Sequence, residues 1–200
     1  QNTLYGDITC TVTTDSSKTT KLTLNELNMD GDTDAAQDGY EADYGISSSL
    51  QKQESVSKLE LTMTDCTVKH YTNKGIYLTN AVSMTIDGCT FEDNATTDIN
   101  TPNTKGDYTI DLNLMSVDAE NITITNTIFT GDWGDKPVIK VAARGAASDA
   151  GVADVGTITE ATVDKLTITG CTFNATSTDV DVNIGTDSKV DNGGAGNDGF

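Results

Sequence analysis

Two hundred residues suit a single domain, and a formal net charge of −19 at pH 7 sets the first limits. That charge repels nucleic acid and anionic membranes, and it disfavours a polyanionic substrate unless a metal bridges the like charges. Hydrophobic residues make up 36% of the chain, with no apolar run of the roughly 18 residues that a membrane-spanning helix needs, so no membrane span is expected.

In chain order, residues 1–19 read as an N-terminal cap, in which Ile8, Cys10 and Val12 alternate as a strand. From residue 20 a phrase recurs. Leu22-Thr23-Leu24-Asn25-Glu26-Leu27-Asn28-Met29 is a weak first copy. Leu59-Glu60-Leu61-Thr62-Met63-Thr64-Asp65-Cys66-Thr67-Val68 and Val82-Ser83-Met84-Thr85-Ile86-Asp87-Gly88-Cys89-Thr90-Phe91 are strong ones. Ile122-Thr123-Ile124-Thr125-Asn126-Thr127-Ile128-Phe129 and Leu166-Thr167-Ile168-Thr169-Gly170-Cys171-Thr172-Phe173 follow. Apolar residues alternate with polar ones, which is the pattern of a half-buried strand, and the Gly, Asn or Asp before the Cys position predicts a bend.

A second strand is predicted after each copy: Gly75-Ile76-Tyr77-Leu78, Ile110-Asp111-Leu112-Asn113-Leu114, Val138-Ile139-Lys140-Val141 and Val180-Asp181-Val182-Asn183-Ile184, with Tyr44-Gly45-Ile46 a poor first example. Two strands per repeat, a shortest repeat of 23 residues from Cys66 to Cys89, and no helical pattern predict an all-β parallel β-helix over residues 20–187. It would have about five turns, stacked about 4.8 Å apart. The Gly-rich residues 188–200 read as a flexible tail or linker, which would make the chain a piece of a longer protein.

Stacked turns bring equivalent residues side by side. One inward ladder is predicted to hold Leu27, Cys66, Cys89, Thr127 and Cys171, and the next Met29, Val68, Phe91, Phe129 and Phe173. The cysteines therefore read as buried thiols at a position that wants a small residue, rather than as disulfides. The register of Cys10 stays open.

The phrase apolar-x-apolar-x-Gly/Asp-Cys-Thr-Phe, as in Ile86-Asp87-Gly88-Cys89-Thr90-Phe91, resembles the right-handed parallel β-helix, or pectin-lyase-like, superfamily over residues 20–187. The resemblance implies the architecture and its hand. It does not imply one activity, because lyases, hydrolases, binding proteins and structural proteins share the fold. Polygalacturonases of this fold carry Asn-Thr-Asp, a paired Asp, His-Gly and Arg-Ile-Lys. Here Asp32-Thr33-Asp34 has Asp for Asn, His70 precedes Tyr71, and Ile139-Lys140 follows Val138. Pectate lyases pair an arginine base with calcium-binding carboxylates, and Arg144 is the sole arginine. His70 itself reads as an exposed turn residue.

Three constellations remain. Asp30, Asp32, Asp34, Asp38 and Glu41 have the carboxylate spacing of an EF-hand-type loop, which suits Ca2+. Ala35 stands where that loop needs glycine, so the alternative is a solvated acidic turn. The insertions 30–43, 92–107 and 130–137 fall at one corner of the solenoid and carry Tyr40, Tyr44, Tyr108 and Trp133. Exposed aromatics beside Asp132 and Asp135 are how proteins hold sugars, whereas rings folded onto the solenoid would be packing. Lastly, Tyr77, Asp111, Lys140 and Asp181 form an outward column. Asp111 and Asp181 would lie about 9.6 Å apart by strand spacing. That is the wide end of what inverting glycoside hydrolysis uses, with Lys140 as base or charge neutraliser; the plainer reading is a charge ladder that favours correct register.

Together these features predict a secreted or bacterial-surface module, non-catalytic, monomeric or part of a larger surface protein, that binds carbohydrate or host glycan. The alternative is a polysaccharide lyase or glycoside hydrolase using Asp111, Lys140 and Asp181.

Overall fold

The computed structural model describes residues 2–32, 42–48, 56–95, 108–114, 117–133, 137–144, 162–175, 182–187 and 198–199. Among them every regular element is a strand, and the strands form three sheets. The first sheet stacks Thr19–Asn25, Lys58–Thr64, Ala81–Asp87, Asn121–Thr125 and Leu166–Thr169. The second stacks Asn2–Tyr5, Leu27–Asp30, Thr67–Lys69, Thr90–Glu92, Ile128–Gly131 and Thr172–Ala175. The third stacks Ile8–Cys10, Tyr44–Ser48, Lys74–Leu78, Ile110–Leu114, Ile139–Arg144 and Val182–Asp187. All of these pairs are parallel, and each chain turn visits the three sheets in order. The protein is an all-β parallel solenoid.

The repeat phrase explains the first two sheets. Lys58–Thr64 alternates half-buried and buried residues along its whole length. The chain then bends at Glu26, Asp65, Gly88, Asn126 and Gly170, all with left-handed backbone (φ 50°, 51°, 64°, 51° and 67°). The bend splits each phrase into a long and a short strand, so a turn has three strands where the alternation alone suggested two. At Gly88 a Cβ would lie 2.5 Å from Asp65 Oδ1 on the previous turn, so any larger residue there would displace that carboxylate.

Both inward ladders form in the predicted register. Phe91 pairs with Val68 and Phe129, and Phe129 with Phe173. Their rings stack at centroid distances of 5.2 and 5.1 Å. Cys66 and Cys89 are buried and reduced, and burial pushes the Cys89 thiol up to about 12.

The structure adds a reason why cysteine and threonine interchange on this ladder. Each donates a hydrogen bond to the carbonyl two residues back, at the bend: Cys66 Sγ to Thr64 O (3.3 Å), Cys89 Sγ to Asp87 O (3.5 Å), Thr127 Oγ1 to Thr125 O (2.8 Å) and Cys171 Sγ to Thr169 O (3.7 Å). The position wants a small residue that is also a donor.

The expected cap at residues 1–19 is in part solenoid. Asn2–Tyr5 pairs in parallel with Leu27–Asp30, and Ile8–Cys10 with Ile46–Ser48, which places Cys10 beside Ser48 on the third sheet and off the cysteine ladder. Of the expected tail, Asp198–Gly199 pairs antiparallel with Gly185 and Thr186. No helix among the described residues is long and apolar enough to cross a membrane.

The donor role of the ladder makes a sharp prediction. Thr127→Val keeps the shape but removes the hydroxyl donor; Thr125 O still accepts from the Gly88 amide (3.1 Å), so the loss should be about 0.5–1.5 kcal/mol in chemical denaturation. Thr127→Cys should cost clearly less. Equal losses would show that only size matters at this position. Phe129→Ala, which opens the middle of the ring stack, should cost about 3–5 kcal/mol.

Candidate functional site

Parallel in-register strands put the outward residues of the third sheet in a column, so a charge on one turn meets whatever the next turn carries. The observed column runs Ser47, Tyr77, Asp111, Lys140 and Asn183. Asp111 and Lys140 are each only 4% exposed. A buried charge is costly unless paired, and here one carboxylate serves two ammonium groups. Asp111 Oδ1 lies 3.7 Å from Lys140 Nζ, and Oδ2 lies 3.7 Å from Lys74 Nζ.

Tyrosines flank this row. Lys74 Nζ sits 5.4 Å from the centre of the Tyr77 ring, and Lys140 Nζ sits 5.1 Å from that of Tyr108, both in cation–π range. Tyr44 stacks on Tyr77 at 5.7 Å. Asn73 donates from Nδ2 to the Tyr44 hydroxyl (3.0 Å) and accepts at Oδ1 from Lys74 Nζ (3.2 Å). Asn73 and Lys74 are the members of this cluster that the sequence did not single out. Lys74 precedes the apolar alternation of its strand, and only the pairing of Tyr44 with Lys74 brings it to the row.

The catalytic reading of the column needs a correction. Asn183, not Asp181, stands beside Lys140, because Val182 pairs with Ile139. The segment Val180-Asp181-Val182-Asn183-Ile184 alternates perfectly, so a slip of two residues leaves the pattern unchanged and the sequence did not fix it. Asp181 itself lies outside the described residues. Among the described residues the column holds one carboxylate, Asp111, with Lys140 beside it in the column and Lys74 adjoining, whereas acid–base hydrolysis uses two carboxylates.

Trp133 is likewise a correction. It is 0% exposed, and its indole Nε1 donates to Asn94 O (2.9 Å) and Thr109 Oγ1 (2.6 Å). A large ring with one polar edge packs inside when that edge finds an acceptor, and Asn94 supplies one. Asn94 is itself buried and pinned. Its Oδ1 accepts from the Tyr71 amide (3.2 Å), and its Nδ2 donates to Val68 O (2.7 Å). Asp132 is exposed beside Trp133. Asp135 and Tyr40 lie outside the described residues, and Tyr44 is half-buried in the tyrosine stack.

Of the five carboxylates proposed for calcium, Asp34, Asp38 and Glu41 lie outside the described residues. Asp30 is already committed. Its Oδ2 lies 3.0 Å from Lys69 Nζ, and its Oδ1 meets His70 Nδ1 at 2.9 Å and the Asp32 amide at 3.1 Å. Burial pushes the Asp30 carboxyl up, but the hydrogen bonds from Lys69, the Asp32 amide and His70 outweigh it and hold the group below its usual range. Asp32 is buried, with Oδ1 lacking a hydrogen-bond partner among the described residues. His70, expected as an exposed turn residue, is half-buried, with its side chain 18% exposed.

Compared with protein-family models, with curated proteins and with solved structures, the chain matches none.

The buried row predicts its own energetics. Asp111→Ala leaves two ammonium groups buried without their shared carboxylate and should destabilise the fold by about 3–5 kcal/mol in urea unfolding. A loss below about 1 kcal/mol, the scale of an exposed ion pair, would show that solvent already screens these charges.

Proposed function

We propose that this chain is a non-catalytic binding module of the right-handed parallel β-helix, pectin-lyase-like kind. On this reading it is secreted or displayed on a bacterial surface, alone or within a larger surface protein, and holds carbohydrate or host glycan. The observation that carries the reading is the tyrosine row on the outer face of the third sheet. Tyr44, Tyr77 and Tyr108 are half-buried, and the amide of Asn73 and the charges of Lys74, Asp111 and Lys140 adjoin them. Sugars pack their C–H faces on aromatic rings while a polar group beside the rings, here the half-buried Asn73 amide, takes their hydroxyls. A solenoid sets such groups at a constant spacing, which suits a repeating polymer.

The non-catalytic part of the reading rests on Asp111. It is buried between two lysines, and the register sets Asn183 where a second carboxylate was expected. A hard cation such as Ca2+ in the acidic segment that follows Asp30 belongs to the same proposal. Its support is Asp32, whose buried Oδ1 lacks a hydrogen-bond partner among the described residues.

A glycan array with and without calcium tests the reading, followed by titration of the strongest hit. Tyr77→Ala should weaken binding at least tenfold, about 1.4 kcal/mol, while the melting temperature stays close to that of the parent chain. Unchanged affinity in that variant would remove the tyrosine row from the proposal. New reducing ends or unsaturated products on incubation with the hit would overturn the non-catalytic reading.

A further inference from the structure

Where the second sheet turns toward the third, each chain turn places one residue in an equivalent corner position. Backbone hydrogen bonds stack these corners: Gly6 N on Asp30 O (3.1 Å), Gly31 N on Lys69 O (2.9 Å), His70 N on Glu92 O (3.2 Å) and Asp93 N on Thr130 O (2.9 Å). Glycine holds this corner at residues 6 and 31 and, by the register of Glu92 with Thr130, at residue 131. The two turns between Gly31 and Gly131 put His70 and Asp93 there, both with left-handed backbone (φ 62° and 50°). Stacking on adjacent turns brings their side chains together, and Glu92 adjoins Asp93 in sequence. A ring nitrogen of His70 and one carboxylate oxygen from each of Glu92 and Asp93 lie within 4.8 Å of one another.

An independent contact prepares the imidazole. Asp30 Oδ1 meets His70 Nδ1 at 2.9 Å, and the Asp30 carboxyl is itself fixed by Lys69 Nζ (3.0 Å) and the Asp32 amide (3.1 Å). A carboxylate only accepts, so the Nδ1 contact is donated by the ring, and Nε2 is the nitrogen through which His70 would meet a metal. Carboxylate to Nδ1–H, with Nε2 toward a metal, is how metal-binding histidines are oriented and made more basic. Asp30 belongs to an earlier turn than the three ligand residues, and it is the parallel register that delivers it.

We propose that His70, Glu92 and Asp93 bind a divalent transition-metal cation of the zinc class. One imidazole nitrogen and two carboxylates match the borderline character of Zn2+, whereas Mg2+ and Ca2+ favour all-oxygen sets. With ligand bonds of about 2.0–2.2 Å the three atoms must draw in by roughly 1 Å, and the exposed, long Glu92 side chain supplies that freedom. Three protein ligands leave a fourth position for water or a ligand group. The chain's net charge of −19 raises the local concentration of cations around this corner.

The chain carries one histidine, which makes the test direct. Zinc chloride is titrated into the chelator-stripped chain by calorimetry, while the imidazole resonances are followed by NMR. One zinc per chain should bind, and the His70 ring signals should move and saturate at one equivalent. His70→Ala, Asp93→Asn and Glu92→Gln should each weaken zinc binding at least tenfold. Glu92 is exposed, so Glu92→Gln tests the site without disturbing the fold. Glu60→Gln, which alters a carboxylate paired with Lys21 on the first sheet, should leave zinc affinity unchanged. Zinc binding of equal strength in His70→Ala and Glu92→Gln, or ring signals that stay fixed at saturating zinc, would overturn the site.

Discussion

The ladders and columns of this molecule depend on parallel pairing in register, in which a residue lies beside its counterpart one turn away, with one register shift between Leu59 and Glu60. An inward side chain must pack against a copy of itself or a near equivalent. The Phe91, Phe129 and Phe173 rings do so by stacking almost parallel, within 12° of one another. At the bend the same rule repeats a hydrogen bond rather than a shape, and thiol and hydroxyl replace each other because either one donates to the carbonyl two residues back. Leu27 stands on this ladder without a donor, half-buried, with Asn2 of the edge strand beyond it.

On the outside, the rule turns from packing to electrostatics. Identical charges would repel along a column, so the third sheet sets Asp111 beside Lys140. Chemistry collects where neighbouring turns differ in type but agree in position. The corner that is glycine at residues 6 and 31 becomes His70 and then Asp93, and the residue two turns from Asp93 in the adjoining column is Asp30. A solenoid of otherwise repetitive sequence can thus assemble residues 30, 70, 92 and 93 without any long loop to bring them together.

What was legible in the sequence follows from the same rule. The repeated phrase reveals the inward ladders because hydrophobic identity recurs, and both ladders stand in the register that the phrase implies. The short strand was hidden, because alternation continues through the bend and only the backbone of Asp65, Gly88 and Asn126 marks the change of direction. Position along a perfectly alternating segment was also hidden. Val182 and Val180 are equivalent to the eye, and the structure selects Val182 as the partner of Ile139. Trp133 misled for another reason. A tryptophan between Asp132 and Gly134 looks like a loop residue, and its acceptors, Asn94 and Thr109, lie far away in the chain. Asp30 fits a linear cation motif, yet its partners Lys69 and His70 come from the next turn, which no local pattern contains.

Register is therefore the quantity to measure, and backbone proton contacts in solution report it most directly. In-register parallel stacking predicts contacts from the amide and α protons of Phe91 to the backbone near both Val68 and Phe129, with the equivalent pattern repeated at Ile124 toward Ile86 and Ile168. Close α-proton to α-proton contacts that pair residues 59–68 with residues 82–91 in opposite directions would contradict it, since only antiparallel strands bring those protons face to face.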